Sequence, residues 1–98
     1  MRQSILSVPE FDLEYHQEDM GNGKFLTFLH LEVYYWSPGV FRQLKAIWPT
    51  VSTIARPLFL VGTRDTPLFH KFVSRFGFSP FLKVGCTDGQ ERTLFIFT

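Results

Sequence analysis

The chain has little of what usually staples or anchors a small protein. Cys86 is the single cysteine among 98 residues, which excludes an intramolecular disulfide and a cysteine-based zinc site. No apolar run approaches the ~20 residues that cross a bilayer. The opening stretch Met1-Arg2-Gln3-Ser4-Ile5-Leu6-Ser7-Val8-Pro9 has no apolar signal-peptide core. Charge is scarce, at 19% Asp, Glu, Lys and Arg, against ~25% in an average domain. No internal repeat, linker or low-complexity tract interrupts the sequence. The expectation is one soluble domain over residues 1–98, with no membrane partner, in the cytoplasm of a cell or associated with a virion.

What is present is aromatic. Hydrophobic residues make up 45% of the chain and aromatic ones 17%, with twelve phenylalanines, so disorder is excluded. A domain of this length hides only ~60–65% of its unfolded surface. So many rings in so small a domain predict an aromatic interface, with a protein partner or in a homodimer. Charge is also divided. Residues 1–36 carry Arg2 and Lys24 against six carboxylates, a net −4, and residues 37–98 carry eight cations against three, a net +5. The sequence pI of 7.9 is below the ~9 of a strong nucleic-acid footprint. Nucleic-acid binding through the basic half is therefore the third reading, after protein binding and catalysis.

Residues 11–16 alternate Phe11, Leu13 and Tyr15 with Asp12, Glu14 and His16, the period of a half-buried strand. Glu18 to Gly23 is turn chemistry, and residues 24–36 read as a long strand with Phe25, Leu29, Leu31, Val33 and Tyr35 on one face. Matching the apolar faces requires partners whose numbers sum to an even value. A two-residue Asn22-Gly23 turn is thereby excluded, and a loop of odd length is expected. Ser37-Pro38 opens a helix as N-cap and first residue, with a stripe of Val40, Phe41, Leu44, Ile47 and Trp48 that Pro49 ends. Residues 57–62 form a buried parallel strand. Thr66-Pro67 opens a second helix with Leu68, Phe69, Phe72, Val73 and Phe76 inward and Gly77 as its cap. A final hairpin turns at Asp88-Gly89, and Pro80 places its first strand at an edge or on a bulge. The predicted fold is α+β, a mixed sheet with two helices in the order β-β-α-β-α-β-β.

That order, with Phe72-Val73-Ser74-Arg75-Phe76-Gly77-Phe78 closing the second helix, resembles the C-terminal two-thirds of the GNAT acetyltransferase fold, over residues 11–98. The stretch from Val61-Gly62-Thr63 through Asp88-Gly89-Gln90 to Leu94-Phe95 is similar to GNAT-like internal virion proteins of short-tailed phages. The resemblance implies a truncated domain without the family's first strand and first two helices. It also implies acetyl-CoA held at the loop matching Tyr35-Trp36-Ser37-Pro38-Gly39-Val40, with Ser37, Gly39 and Val40 as its contacts. This loop has one glycine where the family has two small residues, and its proline has no N–H. The position of the family's general-acid tyrosine is Val73.

Glu32, with His30 two residues before it on the same strand face, occupies the strand that resembles the one bearing the family's general base. Such a carboxylate accepts a proton from an amine when burial raises its pKa. The alternative is a partly solvated pair that keeps one sheet face polar. Asp12, Glu14 and His16 share that face with them. Nothing in strand spacing fixes the tetrahedral geometry zinc requires, so no metal site is assigned. Tyr34 and Trp36 at the end of the long strand, and Arg42 and Lys45 on the polar side of the first helix, are the candidate partner-binding residues. The reading is a non-catalytic GNAT-like protein, phage-encoded, that inhibits a host factor or rides with the virion by binding protein. The alternative is a coenzyme-A-dependent N-acetyltransferase using Glu32.

Overall fold

The computed structural model describes residues 2–62 and 65–98; Thr63, within the stretch that carries the phage resemblance, lies outside the described residues. The elements run β1 (Gln3–Ser7), β2 (Phe11–Asp19), β3 (Phe25–Val33), α1 (Pro38–Val51), β4 (Leu58–Gly62), α2 (Pro67–Ser74), β5 (Ser79–Gly85) and β6 (Glu91–Phe97). The strands form one mixed sheet in the order β1-β2-β3-β4-β6-β5. The fold is thus α+β with two helices, as expected, but it has one strand more than the sequence pattern predicted. β1 escaped notice because Ile5 and Leu6 are adjacent apolar residues without alternation. A register shift between Ser4 and Leu6 lets both pack against the core edge.

The β2–β3 hairpin has the odd loop that face matching demands. Asp19 pairs with Phe25 across residues 20–24, and every pair from Phe11–Val33 onward sums to an even number. Gly21, Asn22 and Gly23 all take positive φ in that loop, which suits only glycine and asparagine without strain. β3 is shorter than predicted. It stops at Val33 because the Tyr34 N–H turns to the Glu10 carbonyl, 2.8 Å away, so Tyr34, Tyr35 and Trp36 lie beyond the strand.

Helix α1 has Ser37 in the extended N-cap conformation, without a side-chain cap bond. It passes Pro49 and ends at Val51, beyond the predicted stop. A proline so near the end removes a single N–H bond, and the burial of Val51 holds the last turn in place. In α2 the Thr66 hydroxyl accepts the Phe69 N–H at 3.2 Å. The Phe78 N–H reaches the Val73 carbonyl and the Gly77 N–H that of Ser74, a double closure that needs Gly77 at φ +94°. Leu68, predicted to point inward, is 51% exposed; it lines the crevice beside Tyr34 and Trp36 instead of the core. β5 lies at the sheet edge and carries a bulge between Pro80 and Leu82, so both readings of Pro80 hold.

β3 and β4 are parallel, with Thr27 to Leu31 opposite Leu58 to Gly62, and α1 forms the crossover between them. Both helices pack on the sheet face that bears Phe11, Leu13, Leu29, Leu31, Leu58, Leu60 and Phe95. Phe72 joins the layers, its ring meeting Trp36 at 4.8 Å, Phe41 at 6.2 Å and Phe76 at 5.4 Å. Phe69 lies directly on Gly62, where an added Cβ would fall 2.4 Å from the ring. Asp65, leading into α2, ties that helix to the last hairpin. It accepts from the Thr93 N–H at 3.0 Å, the Thr93 hydroxyl at 2.8 Å, Lys83 at 3.2 Å and His70. Desolvation pushes its carboxyl up, but these bonds outweigh it and leave the pKa at about 2.

Two substitutions test this packing. Phe72→Ala removes the ring where the helices meet and is expected to cost ~3–5 kcal/mol. Gly62→Ala forces Phe69 off the sheet and is expected to cost ~1–3 kcal/mol by overpacking. Urea denaturation measures both, and a loss below ~1 kcal/mol for either would show that α2 is seated differently.

Candidate functional site: the open face of the sheet

With both helices on one side, no described element covers the other. Strand alternation sends Asp12, Glu14, His16 and Glu18 of β2 to that open face, opposite Glu32, His30, Phe28 and Leu26 of β3. β4 adds Phe59 beside Phe28 and Val61 beside His30, and β6 adds Ile96 beside Phe59. The face has two parts. Its floor is a row of rings, His30–His16–Phe28–Phe59–Phe81, with successive centroids 4.6, 5.2, 5.3 and 6.0 Å apart, the first three pairs stacked and the last tilted. Phe59 is buried by its neighbours, whereas Phe81 and Leu82 are 54% and 45% exposed. The other part is acidic, a cleft of about 400 Å³ whose lining includes Asp12, Glu14, His30, Glu32, Arg2 and Arg92.

The ionisation of this cleft follows from its contacts. Asp12 accepts from the Ser7 hydroxyl at 2.5 Å and from the Tyr34 hydroxyl, which hold its carboxyl below the ordinary range. The same bond pushes the Tyr34 hydroxyl up to about 12. Arg2 lies 3.6 Å from Glu14. Arg92 binds Asp88 through both terminal nitrogens, at 2.5 and 3.2 Å, and is pushed above its usual value by Asp88 and Cys86. His16 Nδ1 and His30 Nε2 are 2.5 Å apart, and His16 Nε2 is 2.9 Å from Glu18. Neutral rings satisfy both contacts when the His30 Nε2–H donates to His16 and the His16 Nε2–H donates to Glu18. Desolvation first, then the charges of Arg2 and His16, bring His30 down to about 4. His30 is thus a neutral ring committed to its neighbour.

The parallel register ends at Leu31 opposite Gly62, while β3 continues through Glu32 and Val33 against β2. Glu32 therefore stands at the carboxyl end of a parallel pair, a common place for ligands in such sheets. It lines the acidic cleft and a second one of about 360 Å³ on the helix side, with Tyr34, Trp36, Thr66, Leu68 and Phe69. The structure thus gathers Glu32, Tyr34 and Trp36 at one crevice and places His30 on the open face beside it. It does not bring Arg42 and Lys45 there. They lie on the exposed outer side of α1, with the Lys45 ammonium 5.8 Å above the Phe41 ring.

Ser37, Gly39 and Val40 form the first turn of α1, the place the resemblance assigns to the pyrophosphate of acetyl-CoA. Pro38 has no N–H, and the Val40 N–H is taken by the Ser37 carbonyl at 3.0 Å. Beside the turn lies the Glu10 carboxylate, held by Gln43 and by the Tyr35 hydroxyl at 3.2 Å. A Cβ on Gly39 would sit 3.8 Å from Glu10 Oε2. A resident anion favours the helix N-terminus and repels a second one, so this turn does not fit a pyrophosphate. Val73, at the family's general-acid position, is buried in the core and has no proton to give. Glu10 and the Phe81–Leu82 pair escaped the sequence reading. The first gave no periodic signal, and the bulge after Pro80 broke the alternation that would have placed the second.

No protein-family model matches the chain, and neither the curated proteins nor the solved structures contain a significant match. Among the described residues no helix is long and apolar enough to cross a membrane.

The His30 shift predicts acid sensitivity. Its folded pKa lies below the ordinary 6.5, so the unfolded chain binds the proton more tightly. The associated stability is complete above pH 6.5 and falls as pH drops towards 4. Thermal melts across that range are expected to show a declining midpoint in the native chain and a flatter profile in His30→Gln. Parallel profiles would overturn the assignment.

Proposed function

We propose that this chain is a GNAT-like protein without acetyl-transfer chemistry that works by binding another protein across the open face of its sheet. The observation that carries the reading is one-sided packing. Both helices lie on one face, and the opposite face presents exposed Phe81 and Leu82 on β5 and the carboxylates Asp12, Glu14 and Glu32 on β2 and β3. Apolar area of this kind, rimmed by charge, is the usual anatomy of a protein interface. Tyr34 and Trp36 at the crevice extend it. A phage-encoded inhibitor of a host factor, or a virion-associated protein, is the setting that the sequence resemblance supports.

Against catalysis stand the carboxylate at the first turn of α1, the buried Val73 and the engaged His30. Against nucleic acid stands the sign of the open face. The exposed cations Arg42, Lys45, Lys71 and Arg75 are on the helices instead. A homodimer is the second reading. It would use the open face rather than a strand edge, because β1 and β5 each carry a bulge that spoils edge pairing.

Calorimetric titration with acetyl-CoA tests the loss of chemistry and is expected to give no binding heat. Micromolar binding, with acetyl transfer to an amine abolished in Glu32→Gln, would overturn the proposal in favour of the enzyme.

A further inference from the structure

The open face has a definite chemistry, and that chemistry selects its occupant. Among the described residues, four carboxylates on the β2–β3 side, Asp12, Glu14, Glu18 and Glu32, share the face with the guanidinium of Arg2. Across the cleft Arg92 is committed to Asp88, so its charge does not offset them. Asp12 is held in its ionised form by two donors. The ring row crosses the same face and ends in exposed Phe81, followed in the chain by exposed Leu82. A partner that fits must bring apolar side chains on one stripe and ammonium or guanidinium groups beside it.

Three further features narrow the partner's shape. Bulges in β1 and β5 remove the straight edges that strand addition needs. The bare side of a two-layer sheet is where a helix packs in a three-layer one, and an amphipathic helix supplies a stripe and a flank together. A second copy of this chain offers the wrong signs. Its open face repeats the carboxylates, and the cations of its helices, Arg42, Lys45 and Lys71, are exposed on the opposite layer. From this, and resting on the protein-binding reading above, we infer that the open face receives a cationic amphipathic helix of a different protein. Its apolar stripe lies over Phe28, Phe81 and Leu82, and its lysines or arginines reach Glu14 and Glu32. Charge steering makes the association salt-sensitive.

The test uses the full chain and two synthetic helices of equal length and equal leucine stripe, one flanked by lysine and the other by glutamate. Each is titrated into isotope-labelled protein and followed by amide chemical shifts. The lysine helix is expected to bind, moving the signals of Phe28, His30, Phe81 and Leu82 and leaving the outer surfaces of α1 and α2 unmoved. The glutamate helix is expected to be silent. Raising salt from ~50 to ~500 mM should weaken binding at least tenfold, roughly the screening expected as the Debye length shrinks. Phe81→Ser alters an exposed side chain, so the fold should stand while affinity falls ~10-fold or more, as for an interface anchor. Glu14→Lys with Glu32→Lys should abolish binding and leave the melting midpoint near the native value.

Equal binding of the two helices at the open face would overturn the cationic partner and leave the protein-binding reading intact. Movement confined to the outer helix surfaces would overturn both. Open-face signals that shift with protein concentration alone, with a sedimenting species of twice 11.5 kDa, would overturn the foreign partner in favour of a second copy.

Discussion

The two helices can share one face of the sheet only because their contact is filled by rings. Phe72 sits where Trp36, Phe41 and Phe76 converge, and Trp48 continues the layer to Phe76, Phe78 and Phe97 at 5.2–5.5 Å. Edge-on and tilted arrangements of this kind add to burial beyond their area. At the other end, Phe69 reaches the sheet because Gly62 has no side chain. Remove either device and α2 has no seat beside α1. The position of the last hairpin follows from that seat, with Asp65 as the clasp between α2 and the hairpin.

One-sided packing has a consequence on the other side. A sheet whose apolar demand is met by two helices on one face leaves the second face to its own residues. Here those residues do part of the covering themselves. Phe28 and Phe81 bury Phe59, and His16 stacks between Phe28 and His30. The stack keeps His30 neutral, and the carboxylates keep the remainder wet. The acidic half of the sequence thus becomes the β1–β3 side of the sheet, and the exposed basic residues of the second half include those on the outer helix surfaces.

The first turn of α1 faces a carboxylate of the chain itself, that of Glu10. That residue precedes β2 in the chain, yet its carboxylate lies beside the first turn of α1, bound to Gln43 and Tyr35. The first turn therefore has its anion built in. A helix start that elsewhere would attract phosphate is used here to anchor the β1–β2 connection to the helix layer.

The periodic segments were legible in the sequence because each writes its own environment. Alternation in residues 11–16, the 3.6-residue stripe from Val40 to Trp48 and the fixed φ demands of Gly21, Gly23 and Gly77 are local signals. The odd loop of the first hairpin and the shared face of Asp12, Glu14, His16, His30 and Glu32 followed from period alone. What only the tertiary structure decided is non-local. β1 exists because β2 offers it an edge, and Pro49 stays helical because Val51 is buried. Phe81 joins Phe59 because a bulge turns it, and Glu10 meets Gln43 across 33 positions of sequence. Local pattern records which way a side chain must point. It does not record what stands opposite, because that depends on distances closed only when the sheet and both helices have assembled.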